Sequence, residues 1–177
     1  MITGGIDISV GGVVALVSMC CAVYLDFGGG NPYTAILIAL AIGLGFGLVQ
    51  GFLVAYLDIQ PFIVSMAGMF FARGMTAVIS TDQVSISQNA FFVGLANAKI
   101  KLPFGGYTNS KGVLQIPFMR VTVVVALIVL VVIFLMLRYT KFGRSLYAVG
   151  GNEQSATMMG LDVKKTKLKA YVLGSFL

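Results

Sequence analysis

From Tyr33 to Leu57 the chain runs for 25 residues without a single Asp, Glu, Lys or Arg, and Val121 to Leu137 (VTVVVALIVLVVIFLML) is a second charge-free run. Runs of this length constrain the fold more than any other feature. A helix needs about 20 apolar residues to cross a hydrocarbon core of about 30 Å, whereas a spanning strand needs only about 10. Inside a bilayer each backbone N–H and C=O must also find its partner within the protein, which a helix achieves on its own. Composition agrees: 58% of the 177 residues are hydrophobic and 10% are charged. A soluble domain carries about 25% charged residues, so this chain lacks the polar surface to face water. Mean hydropathy is +0.97. The expected class is all-α, a polytopic bundle of transmembrane helices in a lipid bilayer.

Four full spans are expected, over residues 8–25, 33–57, 61–80 and 121–137, with a fifth beginning near Leu168. Pro61 suits the first position of the third, where its missing N–H costs nothing. The apolar stretch from Ala170 to Leu177 is too short to cross, so the chain is expected to be a segment of a larger protein. Alternating spans place the start of the chain, the 58–60 connector and the 138–167 loop region on one side. Seven basic residues lie on that side from Arg138 to Lys169, against Lys99, Lys101, Lys111 and Arg120 on the other. The richer side is expected to be cytoplasmic. The net charge of +6 is thereby explained by flanking anchors and does not suggest nucleic acid, because no basic stripe with interleaved aromatics is present.

The second span repeats a small residue every fourth position: Ala39, Gly43, Gly47, Gly51 and Ala55. These residues form one groove along a helix, into which a neighbour can approach closely. Gln50 in the same span faces either an interior cavity or another helix. Cys20 and Cys21 are adjacent, point in different directions on a helix and read as packing residues. The external loop, residues 81–120, divides into a weak amphipathic helix from Asn89 to Ile100 and a Gly- and Pro-rich turn or hairpin from Lys101 to Pro117. It reads either as a docking surface for an extracytoplasmic partner or as a plain lid.

Three features bear on mechanism. Asp7 sits in TGGIDISVGG, where flanking glycines permit a break in a helix beside a translocation path; the plainer reading is a cap at the water interface. Arg73 falls about 18 Å along the third span from Pro61, a costly place for a cation. Asp7 is its candidate counter-ion, and the alternative is snorkelling to the interface. The third feature is TKFGRSLYAVGGNEQSATMMGLDVKK, from Thr140 to Lys165. Within it Asn152 suits an N-cap, Glu153 a first turn and Gly160 a C′ position, bounding a helix of about two turns from Glu153 to Met159. Isolated helices shorter than about 12–15 residues are marginal in water, so the bundle or a partner must hold this one. Met158, Met159 and Leu161 supply adaptable apolar surface. Catalytic signatures are missing: there is no G-x-x-x-x-G-K-[ST], no G-x-S-x-G and no Cys/His metal set, so no enzyme activity, metal or cofactor is expected of the chain itself.

TGGIDISVGG, QPFIVSMAGMFFARG and TKFGRSLYAVGGNEQSATMMGLDVKK, in that order and spacing, resemble the permease subunits of bacterial sugar ABC importers of the ribose/galactose/xylose type. AGMFFARG and KLPFGG are most similar to galactofuranose-type permeases. The resemblance implies a permease of about ten spans in the cytoplasmic (inner) membrane, conducting a monosaccharide such as galactofuranose or ribose. It implies three kinds of partner: a second permease copy or paralogue, a cytoplasmic ATPase that consumes the ATP, and an extracytoplasmic sugar-binding protein. It also implies that the GGNEQSATMMG segment is the loop that seats in the ATPase, which maps onto Gly150, Gly151, Asn152, Glu153, Ala156 and Gly160, with Arg144 in the preceding GR pair. Thr157, Met158 and Met159 depart from the more polar pattern of many members. An autonomous channel or secondary transporter, or a membrane scaffold, are the alternatives.

Overall fold

The computed structural model describes residues 4–27, 30–82, 84, 93–94, 97–101, 107–108, 114–115 and 118–177. In chain order these contain α1 (Val10–Phe27), α2 (Pro32–Tyr56), α3 (Pro61–Ile79), β1 (Lys99–Lys101), β2 (Tyr107–Thr108), β3 (Leu114–Gln115), β4 (Phe118–Arg120), α4 (Val121–Tyr139), α5 (Lys141–Gly151), α6 (Glu153–Met158) and α7 (Val163–Phe176). Three helices, α2, α3 and α4, are long and apolar enough to cross a membrane; α1 is apolar but shorter. The architecture is therefore a helical, polytopic membrane bundle, with small antiparallel pairings in the 81–120 loop. There β1 pairs with β4, Lys99 opposite Arg120, and β2 pairs with β3 inside them. The turn or hairpin expected over Lys101 to Pro117 lies mostly outside the described residues, which within it hold the β2–β3 pairing. The amphipathic helix expected from Asn89 falls mostly outside the described residues, and its last two residues, Lys99 and Ile100, are strand instead.

Helix boundaries follow from local chemistry. Asn31 accepts a hydrogen bond from the Tyr33 backbone N–H, and Pro32 opens α2. Pro61 likewise opens α3, as expected. The first helix starts at Val10 and not at Ile8, because Asp7 Oδ1 accepts hydrogen bonds from the Ser9 backbone N–H (2.8 Å) and from Ser9 Oγ (2.7 Å). That local turn competes with helix over residues 7–9. The last helix begins at Val163, five residues before the expected start of its apolar run, because Asp162 caps it by accepting from the Lys165 N–H.

The packing of α7 on α2 is the most extensive in the molecule. The two helices run antiparallel, and the small-residue stripe of α2 is the groove that receives α7. A Cβ added at Gly43 would come within 2.7 Å of the Ser175 carbonyl oxygen; at Gly47 it would meet the Ser175 side chain and the Tyr171 carbonyl, and at Gly51 it would meet Leu168 and Tyr171. Ala55 is fully buried, while Ala39, a turn beyond Gly43, is only half-buried. On the other side of α2, α1 and α3 run parallel to each other, with Gly12 of α1 set against the Met69 backbone. The helix α4 buries none of its residues, so its apolar surface is left for hydrocarbon or for other helices.

Overpacking a tight site costs roughly 1–3 kcal/mol, and more where backbone is the obstacle. Gly47→Leu is therefore expected to lower the melting temperature of the detergent-solubilised protein by several degrees. Gly45→Leu, at a position with open space around it, should leave melting unchanged. Equal melting of both variants would show that α7 does not occupy the groove.

Candidate functional site

The segment that follows α4 is not a loop. Thr140 ends α4 by donating from Oγ1 to the Met136 carbonyl (2.6 Å) and starts α5 by accepting from the Gly143 N–H (3.2 Å). Gly143 lies so close to the Leu137 carbonyl that any Cβ there would overlap it, which fixes the tight corner between the helices. Gly143, Leu146 and Val149 face inward at helical spacing, while Lys141, Arg144 and Tyr147 face out. Gly150 and Gly151 close this helix, so the region 138–167 between the spans holds a helix over Lys141–Gly151 ahead of the short one expected from Glu153. A three-residue apolar spacing behind a Thr cap was the available signal; three glycines in eleven residues concealed it.

Asn152 adopts an extended conformation between α5 and α6. Its N–H donates to the Ala148 carbonyl, and its Oδ1 accepts from the Ser155 N–H at 2.9 Å. The helix it starts is six residues long, ending at Met158. Gly160, at φ +79°, then closes it: the Gly160 N–H donates to Thr157 O and the Leu161 N–H to Ala156 O. This is the two-bond Schellman arrangement, and the accompanying apolar contact is present, with Leu161 packed on the cluster of Val149, Ala156 and Val163. Only Ala156 of α6 is buried. Met158 and Met159 are 89% and 67% exposed, so a short helix pinned at one alanine presents nearly all its surface outward.

Its second restraint was not foreseen. Lys167 Nζ of α7 donates to Glu153 Oε1 at 2.6 Å. Beneath this pair lies a cavity of about 310 Å³ lined by Gly150, Asn152, Glu153, Lys167 and Tyr171, with Gly4, Gly5 and Pro61 forming the far wall. The glycine-rich stretch at Gly4 and Gly5 and the segment from Gly150 to Glu153, far apart in sequence, thus meet at one cavity. Neither Lys167 nor Tyr171 carries a local motif; only their position on the face of α7 toward α2 marks them. The nearby Asp162 carboxyl is held below its ordinary range, chiefly by hydrogen bonds from the Lys165 side chain and backbone, and Lys165 is correspondingly raised. Because a depressed carboxyl stabilises the fold above its unfolded pKa, this cap weakens as pH falls through the lowered value.

The polar residues Asp7, Gln50 and Arg73 divide. Asp7 lies in a non-helical segment, Gly4–Ser9, packed beside the start of α3; the Ile6 carbonyl accepts from Ser65 Oγ at 3.4 Å. Ser9 Oγ is also 3.3 Å from Gln50 Oε1, and Gln50 is 3% exposed. The single Ser9 proton goes to the carboxylate, the shorter and charge-assisted contact. Ser9 then has only lone pairs for Gln50, so the amide is satisfied with Nε2 turned to Ser9. With Nε2 on the Gly68 side it is buried without a partner, pressed against that glycine. Gln50 also lies on the wall of an apolar cavity of about 770 Å³ with Leu16, Phe46, Ile63, Phe71 and Met75. Arg73 does not join this group. It is exposed two turns further along α3 and forms no ion pair with Asp7, whose carboxylate is engaged by Ser9. Sequence alone could not reveal the rotation of α3 that turns Arg73 away.

Losing an N-cap costs about 1 kcal/mol, and a side chain in the left-handed region costs a similar amount. Asn152→Ala and Gly160→Val should therefore each speed amide hydrogen exchange at Ser155 to Leu161 by about fivefold, leaving α2 protected. Unchanged exchange would mean that α6 is held by something other than its caps.

Residues 1–177 match the family described as the branched-chain amino acid transport system / permease component. The fructose import permease protein FruG of Bifidobacterium longum is 37% identical over 177 residues, all of this chain and 50% of that protein. The inner membrane ABC transporter permease YjfF of Escherichia coli is 34% identical over 99% of this chain and 49% of its own length. The ribose import permease RbsC of Bacillus subtilis is 36% identical over 100% of this chain and 50% of its own length. The chain thus spans about half the length of these relatives. No solved structure matches it. With a match over its whole length and relatives above 30% identity, the chain belongs to this family of transport-system permease components.

Proposed function

We propose that this chain forms part of the permease subunit of an ATP-driven importer in the bacterial inner membrane. Its cargo is a monosaccharide, in keeping with the fructose and ribose import permeases among its relatives. The observation that carries the reading is α6: a six-residue helix, capped at both ends, buried only at Ala156 and presenting Met158 and Met159 to the outside. A helix so short needs a reason to be held in place and a partner to cover it. A separate cytoplasmic ATPase supplies both, with Arg144 and Lys141 on the adjoining face of α5 as charged flanks. A second permease subunit would cover the exposed apolar surface of α4, and an extracytoplasmic sugar-binding protein would deliver cargo on the hairpin side. ATP-driven displacement of α6 would rock α7 and, through the glycine groove, α2.

Asn152 has φ −156°, outside the range near −65° that proline allows, and its N–H is bonded to Ala148. Asn152→Pro should therefore abolish co-purification of the ATPase subunit while leaving the permease in the membrane. Retention of the ATPase by this variant, or no ATP-hydrolysing partner for the wild type, would refute the reading.

A further inference from the structure

The cavity between the coupling segment and the glycine-rich stretch joins parts of the molecule that no local motif connects. On one side of it, Glu153 in the first turn of α6 is paired with Lys167 at 2.6 Å. The Lys167 side chain is only 14% exposed, against 51% for Glu153, so the ammonium is held under the helix and not waving in solvent. Ion pairs between exposed side chains contribute little, but a partly buried, short contact positions its partners. One helical turn further along α7 is Tyr171. Its backbone carbonyl lies against Gly47 and its Cβ against Gly51, each within about 3.0 Å of where a Cβ would sit, so it cannot slide without moving α2. Its hydroxyl reaches the other way, to Gly5, at 3.1 Å from the position of an added Cβ. Gly5 lies in the non-helical segment that ends in the Asp7–Ser9–Gln50 contacts, and Gln50 lines the large apolar cavity.

We propose that Lys167 and Tyr171 form a strut: positioning residues that carry displacement of α6 to the non-helical segment Gly4–Ser9 and so to the Gln50 wall. The inference rests on the proposed function and adds the route by which work at the cytoplasmic end reaches the interior of the bundle. Lys167 makes α6 and α7 move as one body. Tyr171 joins this pair of helices to the non-helical stretch Gly4–Ser9, where its hydroxyl meets Gly5. A segment without helical hydrogen bonds, flanked by Gly4 at φ +77°, can shift where a helix would resist.

The test measures ATP hydrolysed per sugar imported by the whole transporter in proteoliposomes. Glu153→Lys and Lys167→Glu should each raise that ratio by about fivefold or more, and the double exchange should restore it. Tyr171→Phe should raise it to a smaller extent, and Lys169→Glu, on an exposed position of the same helix, should not. A merely structural role would lower hydrolysis and import together, leaving the ratio fixed; that result, or failure of the double exchange to restore coupling, would overturn the strut. Should the single variants fail to assemble, Glu153→Cys with Lys167→Cys, bridged by a short bifunctional thiol reagent, gives an independent reading. Transport should survive the bridge, since the pair moves together, and its loss on bridging with recovery on cleavage would refute the proposal. An unmodified transporter with no ATP-driven import would overturn the functional reading itself, and is distinguishable because it requires no variant.

Discussion

The close approach of α7 to α2 is the contact on which the rest of the molecule depends. In a membrane, apolar side chains gain nothing by leaving lipid for one another, so helices associate where backbones can come near. Gly43, Gly47 and Gly51 remove the side chains that would hold α7 away, and Ser175, Tyr171 and Leu168 fill the space. Once α7 is fixed in that groove, its first turns are fixed as well. They anchor Val163 under α6, bring Lys167 to Glu153 and set Lys164 about 5.9 Å from the Tyr56 ring at the end of α2. The position of α6 is thus a consequence of a stripe of glycines on a helix more than a hundred residues earlier.

That arrangement explains how so short a helix can serve as a contact. Its caps satisfy the backbone groups at both termini, so folding it needs no partner to supply hydrogen bonds. Burying only Ala156 leaves its outer surface free. A helix that buried more of itself against the bundle would be more stable and less available. The thin attachment is consistent with an element that docks elsewhere and transmits displacement through α7, while the two methionines let the covering surface vary in shape.

Much of this was legible in the residues. Charge-free runs announced the helices, the four-residue spacing of small side chains announced the groove, and Asn152 and Gly160 announced the limits of α6, because each of these signals is local and repeats a backbone requirement. The glycine-dense stretch from Gly143 to Gly151 hid a helix, since intrinsic propensity spoke for a loop while the corner at Leu137 and the inward Leu146 and Val149 decided for a helix. Lys167, Tyr171 and Ser9 could not be found from sequence, because their roles come from partners 14, 120 and more, and 41 residues away. The pairing of Asp7 with Arg73 failed for the same reason in reverse: opposite charges suggested it, and helix rotation and the Ser9 turn precluded it.

The central claim is that α6 and α7 are one rigid unit seated in the groove of α2. Spin labels at Met158→Cys on α6, Lys169→Cys on α7 and Leu37→Cys at the far end of α2 occupy exposed positions and report it by pulsed dipolar distances. On trapping the transporter with nucleotide, the Met158–Lys169 and Met158–Leu37 distances should both stay constant, because α7 cannot slide along the glycine groove without carrying α2 with it. A change between Met158 and Lys169 with α7 stationary against α2 would contradict the account.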